Sequence, residues 1–248
     1  MDVKSFPDLE KTCSALAERI VELSRESIEQ KKTFSLVLSG GRTPRLFYNL
    51  LGTQYAGEIQ WNFVHLFWGD ERWVPRNHQE SNYAMAFETL ISKVPIPQKN
   101  IHPMPVDARS PDKGADIYEK SLKDYFNNSE SDVRGYTFDA VILGLGEDGH
   151  TASLFPGNPA LFESDKWVIP VQAPASYPTK DRLTLTFPAI NISKNVFFLV
   201  SGKGKKKIVD SILKKESTQR KKYPAEMVQP KGQLSWFLDQ IEVIPKKG

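Results

Sequence analysis

The sequence predicts an open, mostly parallel α/β sheet, doubly wound and Rossmann-like, with helices on both faces. Three observations predict it. Apolar runs of four or five residues recur along the chain, as strands buried on both faces require. Between several of them lie patterns with apolar residues at three- and four-residue steps, the signature of amphipathic helices. Four of the runs stop at glycine followed by polar residues, so the loops after successive strands share one character.

Taken in order, Leu9 to Gln30 reads as a helix, with Leu9, Cys13, Leu16, Ile20 and Leu23 on its buried face. The run Phe34-Ser35-Leu36-Val37-Leu38 is the first strand. A helix follows from Pro44 to Leu51. Val64-His65-Leu66-Phe67-Trp68 is the next strand, and Ser81 to Val94 the next helix. The Pro-rich stretch from Pro95 to Pro105 reads as an ordered loop. Asp112 to Asn127 is helical, and Ala140-Val141-Ile142-Leu143 is a strand. Pro170 to Pro178 is a second Pro-rich loop. Leu183-Thr184-Leu185-Thr186 alternates like a strand with one polar face. Val196 to Val200 is a buried strand, and Lys205 to Lys215 a final helix.

Composition bounds the rest. A chain of 248 residues suits one α/β domain, and no repeat or linker divides it, so residues 1–248 are expected to form a single domain. Hydrophobic residues at 40% and charged residues at 25% supply a core and exclude a disordered chain. A net charge of +3 does not indicate a nucleic-acid partner. Cys13 stands alone, which excludes an intrachain disulfide and a cysteine-based zinc site. The start carries no apolar signal region, and no stretch approaches the ~18 apolar residues of a membrane helix. A cytoplasmic location and no membrane partner are therefore expected.

The four loops are Ser39-Gly40-Gly41-Arg42, Gly69-Asp70-Glu71-Arg72, Gly144 to His150, and Ser201-Gly202-Lys203-Gly204-Lys205. In a parallel sheet the carboxyl ends of the strands lie along one edge, where ligands bind. Any one of these glycines is explained by a tight turn. Four loops with one placement, all carrying ionisable residues, point to a shared site.

The first loop suits an anion. Thr43 reads as a helix N-cap and Pro44 as the first helical residue. Gly40 and Gly41 allow close backbone approach to a ligand, and the free N–H groups with the helix dipole favour negative charge. Arg42 adds a fork of donors. The Walker ending Gly-Lys-Ser/Thr is missing. Arg182 and Lys205 are further cations, although most lysines between Lys203 and Lys222 read as a solvated face.

The third loop suits chemistry. Gly144-Leu145-Gly146-Glu147-Asp148-Gly149 matches a dinucleotide fingerprint, but Pro156 and Gly157 leave no room for the long helix it should open. His150 can take and return a proton near neutral pH, and Asp148 or Glu147 can orient it. Neither His-Glu-x-x-His nor Gly-x-Ser-x-Gly occurs, which leaves a zinc hydrolase or a serine nucleophile of those types unsupported. Asp70-Glu71-Arg72 either pairs internally or places Asp70 and Arg72 in the site.

Together the segments SGGRTP (39–44), GDERWVP (69–75) with SNYAMA (81–86), GLGEDGHTASLFPG (144–157), RLTLTFPAI (182–190), FLVSGKGKK (198–206) and PAEMVQPKGQLSWFLD (224–239) resemble the 6-phosphogluconolactonase family, within the group that includes glucosamine-6-phosphate deaminases. They occur in the family's order across nearly the whole chain. After Asp239 the family usually continues into an alanine-rich helix, whereas Gln240 to Gly248 is short and basic.

The resemblance implies hydrolysis of 6-phosphoglucono-δ-lactone to 6-phosphogluconate in the oxidative pentose phosphate pathway, without a metal or organic cofactor. His150 is implied as general base, with Asp148 orienting it. Gly40, Gly41, Arg42, Thr43, Arg182 and Lys205 are implied around the phosphate and sugar, with Asp70 and Arg72 in the second active-site loop. Loop N–H groups after Gly144 or Gly40 are candidates for stabilising an oxyanion. Phe155 stands where the deaminases carry a glutamate, which disfavours amino-sugar deamination. A non-catalytic sugar-phosphate sensor is the third possibility, opposed by the presence of both His150 and Asp148. The expected partner is a small sugar-phosphate lactone, with the protein a monomer or weak homodimer.

Overall fold

The computed structural model describes residues 1–128, 137–213 and 223–241. Its strands in chain order are β1 (Asp2–Phe6), β2 (Phe34–Leu38), β3 (Val64–Trp68), β4 (Asp70–Arg72), β5 (Ile101–His102), β6 (Ala140–Leu143), β7 (Val168–Gln172), β8 (Asp181–Leu185), β9 (Asn195–Ser201) and β10 (Gln233–Asp239). The α-helices are α1 (Leu9–Lys31), α2 (Arg42–Thr53), α3 (Asn82–Thr89), α4 (Pro111–Asn128), α5 (Phe187–Asn191) and α6 (Lys206–Leu213).

Seven strands form one parallel sheet in the order β1-β10-β9-β6-β2-β3-β5, flanked by helices. After β1 at one edge, the chain enters the middle of this order with β2, runs outward to β3 and β5, then returns to β6 on the other side of β2. The doubly wound expectation holds, and the reversal falls between β2 and β6. Both strands are buried along their whole length, as their unbroken apolar runs require. Covering them is α1, whose Cys13, Leu16 and Ile20 are fully buried. Asp8 caps that helix by accepting from the Lys11 N–H at 2.7 Å.

A polar lock fixes the amino ends of the central strands. Asp139, just before β6, accepts from Ser35 N at 2.8 Å, Ser35 Oγ at 2.9 Å and Lys31 Nζ at 2.9 Å. Its own carbonyl accepts from Asn195 Nδ2 at 2.8 Å. One buried aspartate, through its carboxylate and its carbonyl, thus ties α1, β2, β6 and β9 together.

A smaller antiparallel sheet, β4-β8-β7, sits beyond the carboxyl edge of β3. Gly69 makes the junction: its N–H donates to Leu38 at 2.8 Å and its carbonyl accepts from Leu185 at 2.7 Å. The alternating segment from Leu183 belongs here, so its pattern reflects an antiparallel partner.

Several boundaries differ from the sequence reading. Helix α2 begins at Arg42 with Gly41 as its N-cap, so Thr43 and Pro44 lie inside the first turn and Thr43 does not cap. The φ of +111° at Gly41 turns the chain into the helix one or two residues earlier. The helix expected to reach Val94 ends at Thr89, and a 3₁₀ turn, Ile91–Lys93, replaces its tail. Pro170 lies in β7, an edge strand, where a missing N–H leaves no ladder bond unmade. The motif from Gly144 opens no helix. Strands β1, β4, β5, β7 and β10 are absent from the sequence reading: β1, β4 and β5 carry no apolar run, the run in β7 is broken by Pro170, and that in β10 is only Trp236-Phe237-Leu238. The last expected helix is described only to Leu213; Lys214 to Lys222 and the basic end after Ile241 lie outside the described residues.

His65 on β3 and His102 on β5 face each other, Nδ1 to Nε2 at 3.0 Å, beside Phe67 and Tyr125. Burial, with Lys99 for His65 and with His65 for His102, lowers both pKa values from 6.5 to about 4. Below 6.5 the unfolded chain takes up protons at both positions, and the folded protein refuses them until about 4. Stability present at neutral pH is therefore lost as pH falls through that window. The urea midpoint is expected to drop between about pH 7 and about pH 5, and to drop less in the His65→Asn/His102→Asn double variant. An equal drop in both proteins would refute the assignment.

Candidate active site

The loops after β2, β3, β6 and β9 meet over the β2/β6 reversal, where open α/β sheets bind ligands. They border a cavity of about 960 Å³. All ten residues singled out from the sequence border it.

At the chemical end the chain turns back on itself. Gly146 N–H donates to the His150 carbonyl at 2.8 Å, and Gly149 N–H to the Gly146 carbonyl at 3.1 Å. The turn brings Asp148 Oδ1 to 2.5 Å from His150 Nδ1 and 3.1 Å from its backbone N–H. Burial would raise the Asp148 pKa, but these bonds and the imidazole charge outweigh it and lower it below the ordinary value. With Nδ1 engaged by the carboxylate, Nε2 is the ring nitrogen left for a reacting proton. A Cβ on Gly146 would lie 2.0 Å from His150 Nδ1 and 2.7 Å from Asp148 Oδ1. Only glycine lets this pair close. Because Gly146 N–H is spent inside the turn, it is not a free oxyanion donor.

The anion end starts at Ser39, whose N–H donates to the Tyr48 hydroxyl at 2.7 Å while its carbonyl accepts from that hydroxyl at 2.9 Å. The first N–H groups of α2 have no intrahelical acceptor and no side-chain cap. At Gly40 a Cβ would lie 2.0 Å from Asn82 Oδ1, so the glycine loop lies directly on the Asn82 amide.

Strand alternation sorts Asp70-Glu71-Arg72 onto two sides. Asp70 accepts from Ser153 Oγ at 2.7 Å and from Asn82 Nδ2 at 3.3 Å, joining the second and third loops. Arg72 Nη1 donates to the Glu80 carbonyl at 2.6 Å, while its buried Nε has no protein partner. Glu71 points the other way. It accepts the N–H groups of Asn82 and Tyr83 at 2.8 Å and caps the start of α3.

The cations fall into two groups. Arg182 pairs with Arg72 across β4 and β8 and is 5% exposed. Burial lowers its pKa, with Asp70 opposing and Arg72 adding to the fall. For Lys205 burial is again the main cause of a lowered pKa, with Glu147 opposing and Arg42 adding. None of these four cations forms an ion pair among the described residues. Arg182 is buried, Arg72 and Lys205 are half-buried and Arg42 is exposed; a buried cation such as Arg182 without a carboxylate partner is poorly compensated.

Sequence reasoning missed Tyr177, Asn82 and Ser153. Tyr177 borders the cavity with its hydroxyl 3.4 Å from His150 Nδ1. It sits in a Pro-rich loop with no pattern to mark it. Asn82 follows the N-cap Ser81 and looked like ordinary helix start. Among the described residues no three His, Cys, Asp or Glu side chains cluster as a metal site, and no helix is long and apolar enough to cross a membrane.

Fold and site define an open α/β protein with a histidine–carboxylate pair in a cavity rimmed by cations. The chain matches the family model described as glucosamine-6-phosphate isomerases/6-phosphogluconolactonase over residues 7–236, and it belongs to that family. It is 41% identical over 215 residues to a 6-phosphogluconolactonase of Synechocystis sp., covering 87% of this chain and 85% of that one. It is 39% identical over 229 residues to the chloroplastic 6-phosphogluconolactonase 3 of Arabidopsis thaliana, covering 91% and 69%. The crystal structure of 6-phosphogluconolactonase from Thermotoga maritima superimposes with a TM-score of 0.82 at 31% identity, covering 96% of this chain and 99% of that one.

Gly146→Ala is expected to push the imidazole off Asp148 without unfolding the protein. Nitrogen NMR of the His150 ring should then show a changed tautomer balance. An unaltered Nδ1–H signal would show that the turn relaxes around the methyl group.

Proposed function

We propose that this chain hydrolyses 6-phosphoglucono-δ-lactone to 6-phosphogluconate, the lactone step of the oxidative pentose phosphate pathway. The observation that carries the reading is the His150–Asp148 pair at 2.5 Å in a cavity that also holds cations lacking carboxylate partners. A lactone is an ester, and its hydrolysis at neutral pH needs an activated water. Nε2 of His150 removes a proton from water as the oxygen attacks the ring carbonyl. The tetrahedral intermediate collapses, the ring C–O bond breaks, and the imidazolium returns the proton to the departing ring oxygen. Asp148 holds Nδ1–H and stabilises the imidazolium.

Gly40, Gly41, Arg42, Thr43, Arg182 and Lys205 serve the phosphate and sugar, and Asp70 and Arg72 complete the second loop. Phosphate lies away from the reacting carbon, so binding it holds the lactone in register. Phe155, 1% exposed, places its ring 4.7 Å from that of His150. That apolar wall leaves no acid where ring opening of an amino sugar needs one. Catalysis, with no metal or organic cofactor assigned a part, rests on proton transfer and positioned charge.

We take residues 1–248 as one domain, because β1 and β10 pair across the ends of the chain. The reading includes a cytoplasmic monomer or weak homodimer without a nucleic-acid partner. The buried single thiol of Cys13 and the scattered exposed apolar side chains, Phe63, Phe87, Ile117 and Phe162, support it.

With freshly generated lactone, His150→Ala is expected to lower kcat by ~10²–10⁴-fold; retained turnover would remove the general base. Asp148→Asn should lower kcat with little change in KM, because it alters the tautomer and not the binding surface. Arg182→Ala and Lys205→Ala should act mainly on KM, and an unchanged KM in both would remove their phosphate role.

A further inference from the structure

Tyr177 stands between the two ends of the cavity. Its hydroxyl is 3.4 Å from His150 Nδ1, and its ring meets the imidazole edge-on with centroids 5.9 Å apart. On its other side the Arg182 guanidinium lies 5.3 Å from the ring centroid. Phe155 closes the group, with its ring 5.2 Å from that of Tyr177 and 5.9 Å from the guanidinium. Three further bonds tie the Tyr177 loop down. Arg182 Nε and Nη2 donate to the Thr179 carbonyl at 3.3 and 3.2 Å, and Thr179 Oγ1 donates to Glu80. Nη1 of Arg182 has no protein partner among the described residues and is open to an anion.

We propose that Tyr177 is a positioning residue that couples anion binding at Arg182 to the orientation of His150. The inference rests on the lactonase reading and goes beyond it. An anion that draws the Arg182 guanidinium also draws the Thr179 carbonyl clasped by it, and with it the loop that carries Tyr177. The Tyr177 ring then presses the imidazole against Asp148 and Phe155. Substrates with a phosphate brace the ring of the base that acts on them, while unphosphorylated lactones leave that ring bonded to Asp148 but without the Tyr177 brace. The ring transmits this contact; the hydroxyl is secondary, because Nδ1–H is already held by Asp148.

The test uses the full chain with inorganic phosphate as a separate piece of the substrate. In the native protein phosphate should speed hydrolysis of unphosphorylated glucono-δ-lactone by about fivefold or more, within the usual range of site-to-site coupling. It should also shift the ring nitrogen signals of His150. Tyr177→Leu should bind phosphate by calorimetry yet lose both responses, and Tyr177→Phe should retain them. Full responses in Tyr177→Leu, or none in the native protein, would overturn the coupling. A native protein that hydrolyses neither lactone would refute the lactonase reading, and the nitrogen signals would still decide the coupling.

Discussion

The imidazole of His150 meets a carboxylate at 2.5 Å because nothing projects from the Cα of Gly146. The rest of the site depends on that absence. The turn is closed by its own backbone bonds, so the pair is preformed and needs no ligand to assemble it. Gly149 contributes differently: its φ of +82° reverses the chain before the histidine, and Ala225 N–H donates to its carbonyl at 3.1 Å. A segment far along the chain therefore braces the turn. Preorganisation of this kind removes the entropy of finding the reactive geometry at each turnover.

The turn projects where it does because of strand order. The reversal between β2 and β6 opens a crevice at their carboxyl ends, and the Asp139 lock at the opposite ends keeps the two strands in register. Removing that carboxylate would leave the buried Ser35 N–H and the half-buried Lys31 without their partner, and an unmet buried donor alone costs about 1–3 kcal/mol. The charge holding the scaffold thus sits at the amino ends, away from the cations that border the cavity. Separation keeps the stabilising carboxylate from neutralising the cations at the rim.

Much of this was legible in the sequence. The buried strands announced themselves because Leu36, Val141 and Phe198 belong to runs with no polar face to hide. The four loops were legible because glycine followed by charge is an unusual way to end an apolar run. Strands such as β1 and β5 were not: DVKSF alternates weakly at a sheet edge, and a two-residue strand has no periodicity to read. Thr43 looked like a cap, but a glycine with positive φ took the capping position, and local propensity yielded to the turn geometry. Glu71 was indistinguishable from its neighbours as a charge; only strand alternation sends it beneath α3. Tyr177 depends on a meeting of residues 150, 177 and 182 that no spacing rule encodes.

Arg72 and Arg182 face each other across paired strands, a placement that is ordinarily destabilising. Their main-chain acceptors, the carbonyls of Glu80 and Thr179, take part of each fork without cancelling charge. A carboxylate in either place would stabilise the resting protein and compete with the substrate anion. Carbonyl acceptors instead orient each fork and leave its charge uncancelled. Asp70, held by Ser153 and Asn82, offsets part of the cost of the buried Arg182 charge without reaching ion-pair distance, so the fold tolerates two facing cations at the cavity wall.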